Sequence, residues 1–219
     1  TTQPAPADFE AVYRALQEEG ADAVISCHLS SAMSGTMQSA SIAAQAVDVP
    51  VHVVDTRSAS MGNGLVAIEC ARLARAGAGV EEILARARDV IARQRILFMV
   101  DTLEYLQRNG RIGRAQAFLG GLLNVKPILT VEDGVVAPLE RARGRAKAVS
   151  RLLERMVEEA GDTPQRVAVM HGDAPAEAAE LAVQIRARVP VAELITAVLG
   201  PTVGTHAGPG TLGMVFYPA

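Results

Sequence analysis

The chain has 219 residues, 49% of them hydrophobic, enough to bury a sizeable core in one large domain or two small ones. Its net charge is only -3, and aromatics make up 3% with no Trp. Neither a polyanion nor an anionic membrane would be held by charge alone, and stacking platforms for nucleic acid are scarce. No run of about 18 apolar residues reads as a membrane span, and no secretory signal is visible. Cys27 and Cys70 both lie in apolar segments, which fits core residues in a reducing cytoplasm better than a disulfide framework.

Thr1 opens without a Met, in loop-like sequence, so the natural N-terminus is expected upstream. Pro4 and Pro6 each disfavour helix before them. Asp8 is expected to N-cap a helix through Glu19, stopped by Gly20. Ala23 to Cys27 reads as a short buried strand, Ser30 to Gly35 as a polar loop, and Thr36 to Val47 as a helix. A second strand, Val51 to Val54, is followed by helices over about Asn63 to Ala76 and Val80 to Gln94. That order implies a mainly parallel sheet wrapped by helices.

A boundary is expected near residues 94–96, giving an N-terminal domain over 1–95 and a C-terminal one over 96–219. The second half begins with a strand, Ile96 to Val100, then a short helix, Thr102 to Arg108, and another over Gly113 to Asn124. Pro127 to Val131 and Val135 to Leu139 flank Glu132-Asp133-Gly134, a hairpin signal because Asp-Gly tolerates the positive φ of a tight turn. Helices are expected at Arg145 to Ala160 and Pro175 to Arg188. Strands are expected at Val167 to Met170, Val191 to Ala197 and Met214 to Phe216. A hairpin among helices points to a mixed or antiparallel sheet, so the fold class is α/β in two α/β domains.

Three features carry candidate chemistry. The hydroxyl-rich segment Ser30-Ser31-Ala32-Met33-Ser34-Gly35-Thr36 joins a strand to a helix start, where unpaired N–H groups favour an anion. A Ser-rich capping loop would look similar. The tail from Gly204 to Gly213 contains a formal G-x-G-x-x-G at Gly208, Gly210 and Gly213. It does not open a helix within a βαβ unit, so a dinucleotide is excluded and close backbone approach to a ligand is expected instead. From Arg108 to Lys147, eight basic residues stand against three acidic ones, a net +5. This is either a solvated face or a docking surface for an acidic or phosphate-bearing partner. The four histidines lack metal-ligand spacing, and no nucleophile elbow is present.

Five segments in order resemble the DegV family. They are Thr2-Gln3-Pro4, Ser30 to Thr36, Asp101-Thr102-Leu103-Glu104-Tyr105-Leu106 with Gly110-Arg111-Ile112, Leu123 to Leu129, and His206-Ala207-Gly208-Pro209-Gly210. The family pattern normally begins with a further strand, bearing Asp-Ser-Thr, and a helix, which are missing here. The resemblance implies a long-chain fatty acid such as palmitate or oleate between two domains, its acyl chain in the N-terminal one. It further implies carboxylate contacts from Thr2, Ser31 or Ser34, Gly35 and His206. In some members the carrier presents the carboxyl group to a separate ATP-using fatty acid kinase, a role in which Arg111 and Arg143 would dock the partner. No cofactor, metal, nucleic acid or stable membrane insertion is expected. Two other readings of the same loops remain: an acyl hydrolase using Ser30, Ser31 or Ser34 with His206, and a phosphate-binding regulator.

Overall fold

The computed structural model describes residues 1–120 and 124–219. The chain forms two compact units, Thr1–Ala92 and Arg93–Ala219.

In the first unit the order is α1 (Pro6–Glu18), β1 (Val24–His28), α2 (Thr36–Ala44), β2 (Val51–Asp55), α3 (Met61–Arg75) and α4 (Val80–Arg93). Helix α1 starts two residues before the expected cap. Pro6 occupies its first turn, where a missing N–H costs nothing. Asp8 instead reaches back to accept from the Ala5 N–H at 2.8 Å. Strands β1 and β2 are parallel, in register from Val24 opposite Val51 to His28 opposite Asp55. Parallel neighbours need a crossover, and α2 supplies it. Tyr13, Val24, Ala43 and Val49 form a buried cluster with Phe9 and Leu16 around it. Buried Glu69 accepts from Arg72 at 2.9 Å and Arg86 at 3.1 Å, tying α3 to α4.

The second unit holds a six-stranded sheet in the order β5-β4-β3-β8-β6-β7. Its strands are β3 (Arg95–Met99), β4 (Val125–Glu132), β5 (Val135–Arg143), β6 (Gln165–His171), β7 (Val191–Val198) and β8 (Leu212–Pro218). The β6–β7 pair is parallel and the other neighbours are antiparallel, so the sheet is mixed. The β4–β5 hairpin turns at Asp133 (φ 51°) and Gly134 (φ 77°), the double positive φ of a two-residue turn. Helices α6 (Arg145–Ala160) and α7 (Pro175–Arg188) cover the core. Leu97, Met99, Ile128, Leu152, Met156, Leu181, Ile185 and Phe216 are buried there together.

Two expectations change. The segment expected as a helix from Gly113 to Asn124 is a short 3-10 turn over Gly113–Phe118. Its end from 121 to 123, like Leu123 of the family motif, lies outside the described residues. Gly113 has positive φ, and a Cβ there would stand 2.4 Å from the Val136 carbonyl oxygen, so a regular helix cannot begin at that point. Between β3 and this turn lies a five-residue helix, α5 (Glu104–Arg108). The tail expected as a Gly-rich loop begins as a helix, α8 (Pro201–Ala207), closed by Gly208 at φ 80°.

Candidate functional site

In the first unit, the loops that follow the carboxyl ends of β1 and β2 lie side by side. The Ser30 N–H donates to the Ser58 carbonyl at 2.7 Å, and the Thr56 N–H donates to the His28 carbonyl at 3.0 Å. The carboxyl ends of parallel strands are where α/β sheets place ligands. The turn Ser30 to Ser34 is closed by the Met33 and Ser34 N–H groups donating to the Ser30 carbonyl. Helix α2 follows at once, leaving first-turn N–H groups without intrahelical acceptors.

The hydroxyls of this loop are not equivalent. Ser31 Oγ donates to Asp55 Oδ2 at 2.5 Å, so its proton is committed to a carboxylate of the protein. Ser34 Oγ accepts from the Thr36 N–H at 3.2 Å and lies 2.8 Å from Thr36 Oγ1. When Thr36 Oγ1 is the donor of that pair, Ser34 keeps its own proton for a ligand oxygen. Gln3 packs its amide against Gly35: a Cβ on Gly35 would fall 1.7 Å from Gln3 Oε1. Gln3 Nε2 also donates to Ser39 Oγ at 3.3 Å. This glycine therefore admits the Thr-Gln-Pro segment, and Thr2 is carried beside it, exposed to solvent.

Ser30 Oγ accepts from the Ala32 N–H, Ser31 bonds Asp55, and Ser34 bonds Thr36. A Ser–His contact lies within β1. Tyr13 Oη lies 2.7 Å from Ser26 Oγ, which lies 2.7 Å from His28 Nε2. Phe9 meets the His28 ring edge-on at 5.2 Å. His28 is buried, and burial lowers its pKa. On the opposite pleat Cys27 is hydrogen-bonded to Cys70 of α3; that contact and burial push the Cys27 thiol up. Both cysteines are free.

In the second unit, His206 sits in the last turn of α8 and is half-buried. Burial lowers its pKa, and the Arg111 cation adds to the effect. Arg111, expected at a docking surface, is therefore within electrostatic reach of His206. Asn109 Nδ2 bridges the two segments by donating to the Tyr105 and Thr205 carbonyls, both at 3.0 Å. Arg143 is exposed at the end of β5, opposite Val125.

Much of the +5 stretch is neutralised by pairing. Arg108 pairs with Glu104, Arg114 with Asp133, and Lys126 and Arg145 with Asp101. Gly208 and Gly210 of the tail admit protein side chains rather than leaving open backbone. A Cβ on Gly208 would lie 2.4 Å from the Tyr105 ring, and one on Gly210 would lie 2.4 Å from Asp101 Oδ2. Among the described residues, no cluster of His, Cys, Asp or Glu is arranged to hold a metal ion. No helix among them is long and apolar enough to cross a membrane.

Sequence reasoning named Thr2, Ser31, Ser34, Gly35, His206, Arg111 and Arg143 as site residues, placed Gln3 and Thr36 in its motifs without a role of their own, and missed Asp55. Asp55 carried a usable signal, as a polar residue ending a strand beside the Ser-rich loop.

The pattern of the family described as "Uncharacterised protein, DegV family" matches residues 1–219. A DegV domain-containing protein of Streptomyces coelicolor is 44% identical over 98% of this chain and 77% of its own. Among solved structures, one described as fatty acid binding of a DegV family protein from Thermus thermophilus is 40% identical. It superposes with a TM-score of 0.95 over 100% of this chain and 78% of its own. DegV of Bacillus subtilis, described as a fatty acid binding protein, is 38% identical with a TM-score of 0.88, over 99% and 78% of the two chains. The chain belongs to the DegV family.

Proposed function

We propose that this protein binds one long-chain fatty acid, such as palmitate or oleate, as a carrier in the cytoplasm and has no catalytic activity of its own. The observation that carries the reading is the likeness, over the whole of this chain, to the Thermus thermophilus protein described as binding fatty acid. The chemistry of the first unit supports it. A carboxylate withdrawn from water is costly unless it is hydrogen-bonded. Ser34, Thr2 and the N–H groups at the α2 start offer donors without a fixed cation. Ser31 contributes through Asp55, by shaping the loop. The acyl chain supplies most of the affinity: about fifteen methylenes at ~0.8 kcal/mol each give on the order of 12 kcal/mol before association costs. Head-group bonds at about 1 kcal/mol each then set orientation.

The finer role is presentation of the bound carboxylate to a separate ATP-dependent fatty acid kinase. His206 serves the head group, and Arg111 and Arg143 serve the partner or the transferred phosphate. A guanidinium beside a neutral imidazole suits an anion whose charge grows on phosphorylation. Organic extraction of protein purified from a bacterial host, followed by mass spectrometry, tests the binding reading. The expected result is close to one C16–C18 acid per chain. A vacant protein that stays vacant after incubation with palmitate or oleate sinks it.

A further inference from the structure

We propose that Arg145 is a positioning residue for His206, acting through Asp101 and the turn Gly208–Thr211; this rests on the reading of His206 as a head-group residue. Helix α8 has only seven residues, too few to hold itself in place. Its end is fixed from outside. Thr211 Oγ1 donates to the Ala207 and Gly208 carbonyls at 3.0 and 2.8 Å. The turn is then stitched to the end of β6. The Gly210 N–H donates to the Gly172 carbonyl at 2.7 Å, and the Gly172 N–H donates to the Thr211 carbonyl at 2.8 Å.

Arg145 holds the far side of that turn. Its Nη1 donates to the Gly210 carbonyl at 2.8 Å and to Asp101 Oδ1 at 2.8 Å. The Asp101 carboxylate fills the space where a Cβ of residue 210 would be, and Lys126 Nζ holds the same carboxylate at 2.9 Å. The remaining face of the guanidinium is taken by Glu177, at 2.7 and 2.6 Å. Arg145 opens α6, where the helix dipole disfavours a cation. Its placement is therefore not explained by α6. It is explained by one planar fork reaching three elements, which the single ammonium of a lysine cannot do. Burial opposes ionisation of Asp101, but Lys126 and Arg145 outweigh it and hold its pKa below the usual carboxylate range.

Histidine-labelled full chain, followed by NMR with palmitate as the added ligand, tests this. Arg145→Met is expected to shift the His206 ring resonances and return its titration midpoint toward the ordinary imidazole value. Palmitate affinity should fall by about threefold to tenfold, a change of about 0.7–1.4 kcal/mol. Glu177→Gln weakens the fork's other face but spares Gly210 and Asp101, and should leave the His206 midpoint at its wild-type value. If Arg145→Met does not fold, Arg145→Lys is read the same way. A wild-type His206 midpoint in the Arg145 variant, or an equal displacement in Glu177→Gln, overturns the proposal. If palmitate leaves wild-type His206 unmoved, the head-group reading fails instead, while the comparison of the two variants still decides the role of Arg145.

Discussion

All five residues of β2 in the first unit are half-buried, whereas six of the seven residues of β6 in the second are buried. Among the described residues the first unit has two strands, an apolar cluster around Tyr13, further buried apolar residues on α3 and α4 such as Leu65, Val66, Ile83 and Val90, and a loop of hydroxyls. The second has six strands, a core of Leu, Ile, Val, Met and Phe, and a network of arginines and carboxylates. The buried side chains of that core fill one another's gaps, because interiors close-pack like organic crystals. A sheet whose residues are only half-covered still has apolar surface to offer. The proposed function divides the labour along this contrast: the first unit is to take the chain and offer the neutral donors, and the second to hold charge around His206.

The largest effect should come from the packed unit. Leu152 of α6 is fully buried in the core of the second unit. Leu152→Ala should cost about 2–5 kcal/mol of stability, read by chemical denaturation, while the folded fraction binds palmitate as tightly as wild type. A loss of affinity in the folded protein would erase the division between the units.

Gly35→Ala sharpens the other side. Its φ of -74° suits any residue, so backbone strain is not the issue. The new Cβ would displace the Gln3 amide, a flexible exposed group, and with it the Thr-Gln-Pro segment. Stability should change by less than about 1 kcal/mol, and palmitate affinity should fall by about 1–2 kcal/mol in calorimetry. An unchanged affinity would separate Thr2 from the ligand.

Within the loop, Ser34→Ala should weaken palmitate by about 1 kcal/mol, and Ser31→Ala by roughly half of that or less. The Ser31 proton is already given to Asp55. The reverse order would mean that the Ser31–Asp55 bond breaks when the acid binds.

The smallest effect concerns His28. Its folded pKa lies below the ordinary value because it is buried. The unfolded chain takes up a proton at about pH 6.5 and the folded one resists. Its contribution to stability is therefore present above about pH 6.5 and is lost as pH falls through the folded pKa. His28→Gln should flatten that decline in denaturation midpoints measured from about pH 7.5 to about pH 5. An unchanged slope would assign the decline to another group.

Much of this fold was legible because local chemistry dictates it. Asp133-Gly134 could only turn, and α6 and α7 run over the residues that Gly144 and Pro175 delimit. Strands β4 and β5 outran expectation: Pro127 looked like a boundary, yet it lies inside β4 opposite Arg141, with a register shift following Ile128. Helix α8 was missed because Gly204 interrupts a seven-residue segment with no apolar period; its support comes from Thr211 and Asn109, which the sequence does not place beside it. The pairing of Arg145 with Asp101, 44 residues apart, was likewise hidden, so the +5 stretch looked freer than it is. The Ser-rich loop was legible as a place, but not the division between Ser31 and Ser34. That depends on Asp55, delivered by the parallel register of β2.

The central claim is that a neutral hydroxyl loop in the first unit reads the carboxylate while the alkyl chain supplies the affinity. Titration calorimetry of palmitate and of 1-hexadecanol, which has a hydroxyl where the acid has its carboxylate, against wild type and Ser34→Ala tests it directly. The account predicts that Ser34→Ala weakens palmitate about fivefold and leaves 1-hexadecanol within about twofold. Equal losses for both ligands, or none for palmitate, would contradict it.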